Sequence, residues 1–153
     1  MWKYILAAVV VAAVLGYTAF IVSCPCDRTP GGWLLGTEVS EPVADWAFAN
    51  EAPLCQVEVR SWHPHSVNLN CMSAQGALYL SCAQCDGKYW STIALGNPDG
   101  RMRIGGKVYP VRLQRVTDPK VLDNAWQARA AKTGRAAGPR SADWWSFRVT
   151  SRE

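Results

Sequence analysis

The chain has 153 residues, of which 49% are apolar and 18% are charged. Globular domains carry about 25% charged residues, so this composition excludes a highly charged, disordered chain. The formal net charge is +4, from 16 basic and 12 acidic residues, which is too small to indicate a protein that binds nucleic acid.

The N-terminal segment, residues 1–23, contains an uncharged stretch from Tyr4 to Val22. In a helix that rises 1.5 Å per residue, this stretch spans roughly 28 Å, close to the ~30 Å hydrocarbon core of a bilayer. No polar face interrupts the stretch, and Trp2 and Tyr4 at its start are typical of an interfacial aromatic belt. We therefore expect one N-terminal transmembrane helix that contacts membrane lipid through residues 4–22.

Two other interpretations of this segment stay open. A cleaved secretory signal also has a basic residue, here Lys3, before an apolar run. The residues Ile21-Val22-Ser23-Cys24 resemble a bacterial lipoprotein processing site, in which Cys24 would become the lipidated N-terminus. Lys3 favours an N-inside orientation, and six cysteines fit an oxidising compartment. The sequence thus predicts a single-pass protein of the bacterial inner membrane with a periplasmic soluble domain.

The rest of the chain divides into a connector and a domain. Residues 24–53 contain prolines and glycines typical of a juxtamembrane connector, with a short helical turn expected over 43–50. In the domain, residues 54–153, alternating apolar and polar residues predict strands, and periodic apolar residues predict two helices. The predicted strands are 54–62, 66–72, 77–82, 100–104, 107–116 and 144–152, and the predicted helices are 87–97 and 119–133.

The strands of the clearest hairpin meet at Gly105-Gly106. One of its faces is apolar, and Arg101, Arg103 and Arg112 share the other, where we expect them to lie in solvent. Asp118 is the expected N-cap of the second helix. The whole order is β-β-β-α-β-β-α-β, and because hairpins dominate it, the sheet should be mostly antiparallel and can close into a barrel.

This order resembles the FMN-binding split-barrel superfamily, which includes pyridoxamine 5′-phosphate oxidases and deazaflavin-dependent nitroreductases. Three segments carry the resemblance: VEVRSWHPHSVNLNC, then LYLSC with GKYWSTIALGNP, and finally RMRIGGKVYPVRLQRVTDP. The chain is most similar to small members that begin with a membrane-spanning segment. The resemblance implies a mainly β fold, a split β-barrel with two helices besides the N-terminal transmembrane helix, and a homodimer.

The resemblance also implies where a cofactor would lie. In the family a flavin lies between two protomers, and its phosphate is held by the second and third strands and by a basic residue after the third. Carried over to this chain, the cofactor-binding residues are His65, Ser66, Asn68, Ser81, Lys88 and Trp90. Lys88 would hold the phosphate at the start of a helix, a position that suits an anion.

The function implied is a membrane-anchored oxidoreductase-like protein that binds FMN or deazaflavin. In such proteins the cofactor carries out the hydride chemistry, which agrees with the lack of an evident catalytic side chain. The second strand, SVNLNC, has no Arg or Lys where oxidases place basic phosphate ligands. This departure favours an alternative, a non-enzymatic, membrane-tethered interaction or assembly module with the same barrel and no cofactor.

The cysteines suggest a third, lower-ranked function and a set of open pairings. Cys82 and Cys85 form a C-x-x-C motif, for which a structural disulfide is favoured over a catalytic dithiol; a zinc site is not predicted, because no second ligand pair accompanies the motif. Cys55 and Cys71 should lie almost opposite each other on paired strands, at a spacing slightly wide for a disulfide. We therefore expect them to be two small core residues, and the pairing among all six cysteines stays open.

Overall fold

The computed structural model describes residues 1–152. The chain begins with a 20-residue helix, and the strands and helices of the domain follow a short 3-10 helix at Ala47–Asn50. In chain order the elements are α1 (Trp2–Ile21), β1 (Thr37–Glu38), β2 (Cys55–Val59), β3 (His65–Ala74), β4 (Ala77–Cys82), α2 (Tyr89–Gly96), β5 (Asp99–Ile104), β6 (Lys107–Arg115), α3 (Pro119–Thr133) and β7 (Trp145–Ser151).

Six antiparallel strands close into a barrel. The sheet order is β1-β6-β5-β2-β3-β4-β7, and β6 also pairs with β7, which joins the two ends of the row. The two-residue strand β1 adds to β6 in parallel and was not predicted, because two residues show no periodicity. The predicted split β-barrel, mostly antiparallel, is therefore confirmed.

Inward-facing side chains fill the barrel. On β2, Cys55, Val57 and Val59 point inward and are almost fully buried, as the alternation predicts. The ring of Trp90 on α2 packs against Phe147 of β7 at a centroid distance of 5.1 Å. Full burial of one such apolar side chain stabilises a fold by about 1.5–3 kcal/mol, so this core is the main source of the barrel's stability.

The hairpin of β5 and β6 turns at Gly105 and Gly106, with φ angles of 56° and 83°. Such left-handed values favour glycine, and a two-residue turn of this kind matches the twist of the strands. The apolar face predicted for this hairpin is confirmed as buried core; its members are Met102, Ile104, Tyr109, Val111 and Leu113.

Helix α3 covers part of the outer surface of β3 and β4. Its first turn is capped as predicted, because the Asp118 carboxylate accepts a hydrogen bond from the Val121 N–H at 3.0 Å. The helix ends at Gly134, which has a φ of 64°. Ala125 of α3 is buried with Met72, Tyr79 and Trp144 in a second, smaller apolar cluster.

Two disulfides stabilise the domain, one between strands β2 and β3 and one at the end of β4. Cys82 is joined to Cys85, and Cys55 is joined to Cys71 with a Cα–Cα distance of 5.7 Å. The expectation of an unbonded Cys55 and Cys71 is wrong. The strand register pairs Cys55 with Leu69, so Cys71 lies diagonally across on the same face, where the two side chains meet.

Helix α1 stands apart from this core. None of its side chains is buried by the rest of the chain. By length and composition it can cross a membrane, and a signal sequence has the same properties. Its C-terminal end nevertheless contacts the connector, and this contact organises the candidate site.

Candidate functional site

The chain folds back on the end of α1. The Trp33 N–H donates to the Ile21 carbonyl at 2.7 Å, and the Gly32 N–H donates to the Ser23 carbonyl at 2.8 Å. These bonds satisfy carbonyls that a helix end otherwise leaves unpaired. A Cβ atom on Gly32 would lie 2.1 Å from the Ile21 carbonyl oxygen, so only glycine allows this approach.

The same segment pairs with the sheet. Gly31 and Ser66 exchange two backbone hydrogen bonds, at 2.8 and 2.9 Å. The pairing of β3 with β4 stops at Asn70 and Ser81, so Gly31 binds the edge of β3 that β4 leaves uncovered. We call residues 23–36, which make this contact, the connector clamp.

Polar side chains on the outer surface of β2 and β3 hold the connector clamp in place. The Asn68 amide donates to the carbonyls of Pro25 and Asp27 at 3.2 and 3.1 Å. The Gln56 amide donates to the same Pro25 carbonyl at 3.3 Å. Because both amides bind backbone carbonyls of the clamp, these hydrogen-bonding groups are not free to bind a ligand.

A buried carboxylate completes the attachment. Glu58 is only 7% exposed, and its Oε2 accepts from the Leu34 N–H at 2.7 Å and from Arg101 at 3.1 Å. Arg101 also binds Glu38 at 2.7 Å. A buried charge is tolerated only when it is paired and hydrogen-bonded, and here the connector clamp supplies part of that pairing.

The arginine face is therefore not simply solvated, and that expectation is wrong for two of its three members. Arg101 binds Glu58 and Glu38, while Arg103 donates to the Leu35 carbonyl and to the Cys24 sulfur, both at 2.9 Å. Arg112 remains half exposed and pairs with Asp99 at 3.1 Å. The pKa of the Asp99 carboxyl is lowered, chiefly by its hydrogen bond from Arg112.

The residues expected to bind a cofactor lie in separate places. Ser66 and Asn68 share the outer surface of β3 beneath the connector clamp. Ser81 is on β4, where its hydroxyl accepts a hydrogen bond from the Trp144 ring N–H at 2.7 Å. Trp90 is buried in the barrel core.

His65, the first residue of β3, contacts the first turn of α2, of which Lys88 is the N-cap. The His65 ring contacts Tyr89, the residue after Lys88, edge-to-face at 4.7 Å. The Lys88 ammonium donates to the Ala83 carbonyl at 2.8 Å. Burial lowers the pKa of His65, and the nearby His63 lowers it further.

These positions do not fit a flavin phosphate as they stand. The Asn68 amide and the Lys88 ammonium already donate to backbone carbonyls, and both backbone hydrogen bonds of Ser66 go to Gly31. The Ser66 hydroxyl is buried without a partner, but the connector clamp lies over this strand. A phosphate dianion needs several charge-assisted bonds, and Lys88 is the one lysine or arginine among the six predicted positions.

A groove opens beside the connector clamp, with a volume of about 350 Å³. We call it the tryptophan groove, and its main lining side chains are Trp33, Arg60, Trp62, His63 and Arg101. His63 stacks against Tyr89 at 5.9 Å and contacts Trp62 at 4.1 Å. The groove therefore joins aromatic rings to the exposed Arg60 and to the Glu58–Arg101 ion pair, a surface that suits an amphipathic or planar partner.

Sequence reasoning missed the residues that build this region. Glu58 stands between two inward-facing valines, and a charged residue so placed signals a buried partner. The pair Gly31-Gly32 follows Pro30 and signals an unusual backbone approach. Neither signal identifies its partner, because Leu34 and Ile21 contact these residues only through the folded connector.

Other cavities offer less chemistry. One, about 480 Å³, lies by Phe48, Ile104 and Tyr109, and burial raises the pKa of Tyr109. Another, about 420 Å³, includes Lys132, whose ammonium donates to the Ala49 and Cys71 carbonyls and whose pKa is lowered by burial. Within residues 1–152, no cluster of three or more histidine, cysteine or acidic side chains could hold a metal.

Comparison with known proteins identifies the fold. No protein-family model matches the sequence, and no curated protein matches it. One similar solved structure is a putative pyridoxamine 5′-phosphate oxidase from Listeria innocua. The superposition covers 70% of this chain and 90% of the Listeria chain, with a TM-score of 0.58 and 11% sequence identity. The domain has the split-barrel fold of pyridoxamine 5′-phosphate oxidase-like proteins.

Two further solved structures support this assignment. A putative 5-nitroimidazole antibiotic resistance protein from Bacteroides thetaiotaomicron matches 74% of this chain and 83% of its own, with a TM-score of 0.57 and 12% identity. An FAD-binding protein from Mesorhizobium loti matches 69% of this chain and 85% of its own, with a TM-score of 0.52 and 17% identity. At these identities the split barrel shares their fold, and activity has to be argued from its own residues.

Proposed function

We propose that α1 anchors the protein in the bacterial inner membrane, with the split barrel in the periplasm. The 20 residues of α1 span roughly 30 Å as a helix, which equals the hydrocarbon core. All of its side chains are available to lipid, because the barrel buries none of them. The two disulfides support the periplasmic side, since disulfides persist in oxidising compartments.

Within this arrangement, the geometry best supports a non-enzymatic interaction or assembly module. The observation that carries this proposal is the connector clamp, which binds the polar groups of Gln56, Glu58 and Asn68. The barrel interior is filled by side chains such as Trp90 and Phe147. The protein therefore presents a closed barrel at the membrane, and Asn68 and Lys88, two of the residues expected to bind a cofactor, donate to backbone carbonyls instead.

The experiment is an absorbance spectrum and a thermal unfolding series on the full chain purified in detergent. The module should be colourless, and a large excess of FMN or of a deazaflavin should not raise its Tm. A ligand that binds only the native state must raise stability. A yellow protein, or a Tm that rises with FMN concentration, would overturn the module.

A second candidate is a flavin- or deazaflavin-binding oxidoreductase, favoured by the fold of its neighbours. One of these is described as FAD-binding and another as a putative pyridoxamine 5′-phosphate oxidase. This function would require the connector clamp to leave the outer surface of β3. The Glu58→Ala variant, which removes the buried carboxylate, should then gain a Tm response to FMN that wild type lacks, whereas Glu38→Ala, at an exposed carboxylate, should not.

The homodimer implied by the resemblance is also part of the proposal. Its expected place is a face between two barrels, where the family holds its flavin. Because the connector clamp covers part of β2 and β3, a dimer would have to include the clamp or use another face. The mass of the detergent-solubilised protein, with the detergent contribution subtracted, tests this: one chain per particle would rule the dimer out.

A further inference from the structure

The end of α1 and the tryptophan groove are held together by hydrogen bonds. Trp33 binds the last turn of α1 through its backbone, 2.7 Å from the Ile21 carbonyl. Gly32 binds the Ser23 carbonyl, and a Cβ on Gly31 would lie 2.4 Å from that same oxygen. The connector therefore does not extend away from the helix; it returns to the level at which the helix ends.

This contact sets the depth of Trp33. If α1 spans the hydrocarbon core, its last residue, Ile21, lies at the boundary between hydrocarbon and headgroups, because the helix length of roughly 30 Å equals the core thickness. Trp33 then lies at the same level, since its backbone N–H donates a hydrogen bond to the Ile21 carbonyl. Tryptophan is the side chain that prefers this layer, with an apolar ring and one polar N–H.

The surface beside Trp33 is unusually apolar for a periplasmic domain. Trp62 is 87% exposed, Leu35 is 55% exposed and Trp33 is 48% exposed. Trp33 and Trp62 line the same groove, and Phe20 and Val22 at the end of α1 are also exposed. Scattered apolar residues on a surface need no explanation, but a contiguous set marks an interaction site.

Cationic groups accompany these rings. Arg60 lines the tryptophan groove and is exposed, so its guanidinium is available to a phosphate group. The other arginine of the groove, Arg101, is neutralised by Glu38 and Glu58. Two exposed indole rings and an exposed arginine that line one groove match the chemistry of a phospholipid headgroup layer.

We propose that the tryptophan groove and Leu35 rest on the phospholipid interface, so that the barrel is docked on the bilayer that α1 spans. The partner is the headgroup layer of the same membrane. This inference rests on the proposed membrane anchor and deepens it, because it assigns a lipid-binding face to the domain. Trp62 and Trp33 insert at the level of the upper acyl chains, and Arg60 contacts lipid phosphate.

The test uses the full chain reconstituted in phosphatidylcholine vesicles, with and without bromine atoms on the upper part of the acyl chains. Bromine quenches tryptophan fluorescence only at close range. The fluorescence of Trp62 is the difference between the emission of wild type and that of Trp62→Phe in the same lipid. This difference should be at least halved in brominated lipid, and the difference for Trp33→Phe should be halved likewise. The matched control is Trp126→Phe on α3, whose emission should be unchanged by bromine. Phenylalanine at the exposed position 62 leaves the barrel core intact.

Two results are decisive. If the protein floats with the vesicles after an alkaline wash but the Trp62 emission is equal in both lipids, the docking is wrong and the anchor stands. If the protein does not float with the vesicles, the anchor is wrong and the docking falls with it. Quenching of the Trp62 and Trp33 emission, but not of the Trp126 emission, supports both.

Discussion

Glu58 and Arg101 form an ion pair at 3.1 Å on the outer surface of the barrel, and the connector closes over it. Glu58 lies on β2 and Arg101 lies opposite it on β5 in the strand register. The pair thus links two neighbouring strands, while the Leu34 N–H binds the same carboxylate oxygen at 2.7 Å. Removal of the Glu58 carboxylate should therefore weaken both the attachment of β2 to β5 and the attachment of the connector to the barrel.

Replacement of Glu58 tests this link. Glu58→Gln removes the charge that Arg101 and Leu34 share, and we expect it to lower the free energy of unfolding by roughly 1.5–3 kcal/mol, the range for hydrogen bonds to a charged group. The control is Glu38→Gln: its carboxylate binds the same arginine but is 67% exposed, and exposed pairs contribute about 0–1 kcal/mol. Urea unfolding of the full chain in detergent measures both, and equal losses would contradict a special role for Glu58.

Gly32 should be intolerant of any side chain. Gly32→Ala places a Cβ about 2.1 Å from the Ile21 carbonyl oxygen, so the connector must shift away from the end of α1. Overpacking of this kind costs about 1–3 kcal/mol. We expect faster tryptic cleavage at Arg28 and faster amide exchange at Trp33. Gly138→Ala serves as the control, because a Cβ at Gly138 would meet open space. If Gly32→Ala is cleaved no faster than Gly138→Ala, the connector does not depend on the close contact between Gly32 and Ile21.

The disulfide between Cys55 and Cys71 should stabilise the barrel. The residues are 16 positions apart, and closing a loop of about 15 residues stabilises a fold by about 3 kcal/mol in the chain-entropy account. The Cys55→Ser/Cys71→Ser double variant should lose that amount in urea unfolding. Cys26→Ser, at an exposed cysteine outside the disulfides, should retain wild-type stability. An unchanged unfolding midpoint in the first variant would mean that the bridge adds no stability.

His65 should make the fold sensitive to mild acid. Its pKa is lowered in the folded state by burial and by His63, so the unfolded chain binds a proton more readily. The stability that neutral His65 contributes is complete above its unfolded pKa of about 6.5 and is lost as the pH falls through the lowered folded pKa. The Tm should therefore fall from pH 7.5 to 5.0. His65→Asn should flatten this dependence, and an identical slope in wild type and variant would exclude His65 as its source.

Local patterns were enough to predict the elements of the barrel. The hairpin at Gly105-Gly106 was predictable, because the glycine turn and the alternation on β5 and β6 agree with each other. The cap at Asp118 was predictable for the same reason, since it depends on neighbours in the chain. These signals depend on residues a few positions apart, and the resemblance added the split-barrel architecture.

The position of the connector clamp over β2 and β3 could not be predicted from such local patterns. The pairing of Gly31 with Ser66 joins backbone groups 35 positions apart and leaves no side-chain pattern. The Cys55–Cys71 bridge was missed because the two residues were expected almost directly opposite each other, whereas the register pairs Cys55 with Leu69 and places Cys71 on the diagonal, at a Cα–Cα distance of 5.7 Å. The cofactor positions of Asn68 and Lys88 stay a prediction, and their bonds to carbonyls in the folded chain were beyond local reasoning.

The fold-back at Trp33 also limits where the barrel can act. Fourteen residues, from 23 to 36, could span about 45–50 Å as an extended linker. Such a linker would let the domain reach partners far from the end of α1. Here the same residues lie flat against β2, β3 and β5. With α1 in a bilayer, as proposed above, the domain would be confined to a thin layer above the lipid, and its encounters would be with molecules that diffuse in or along that membrane.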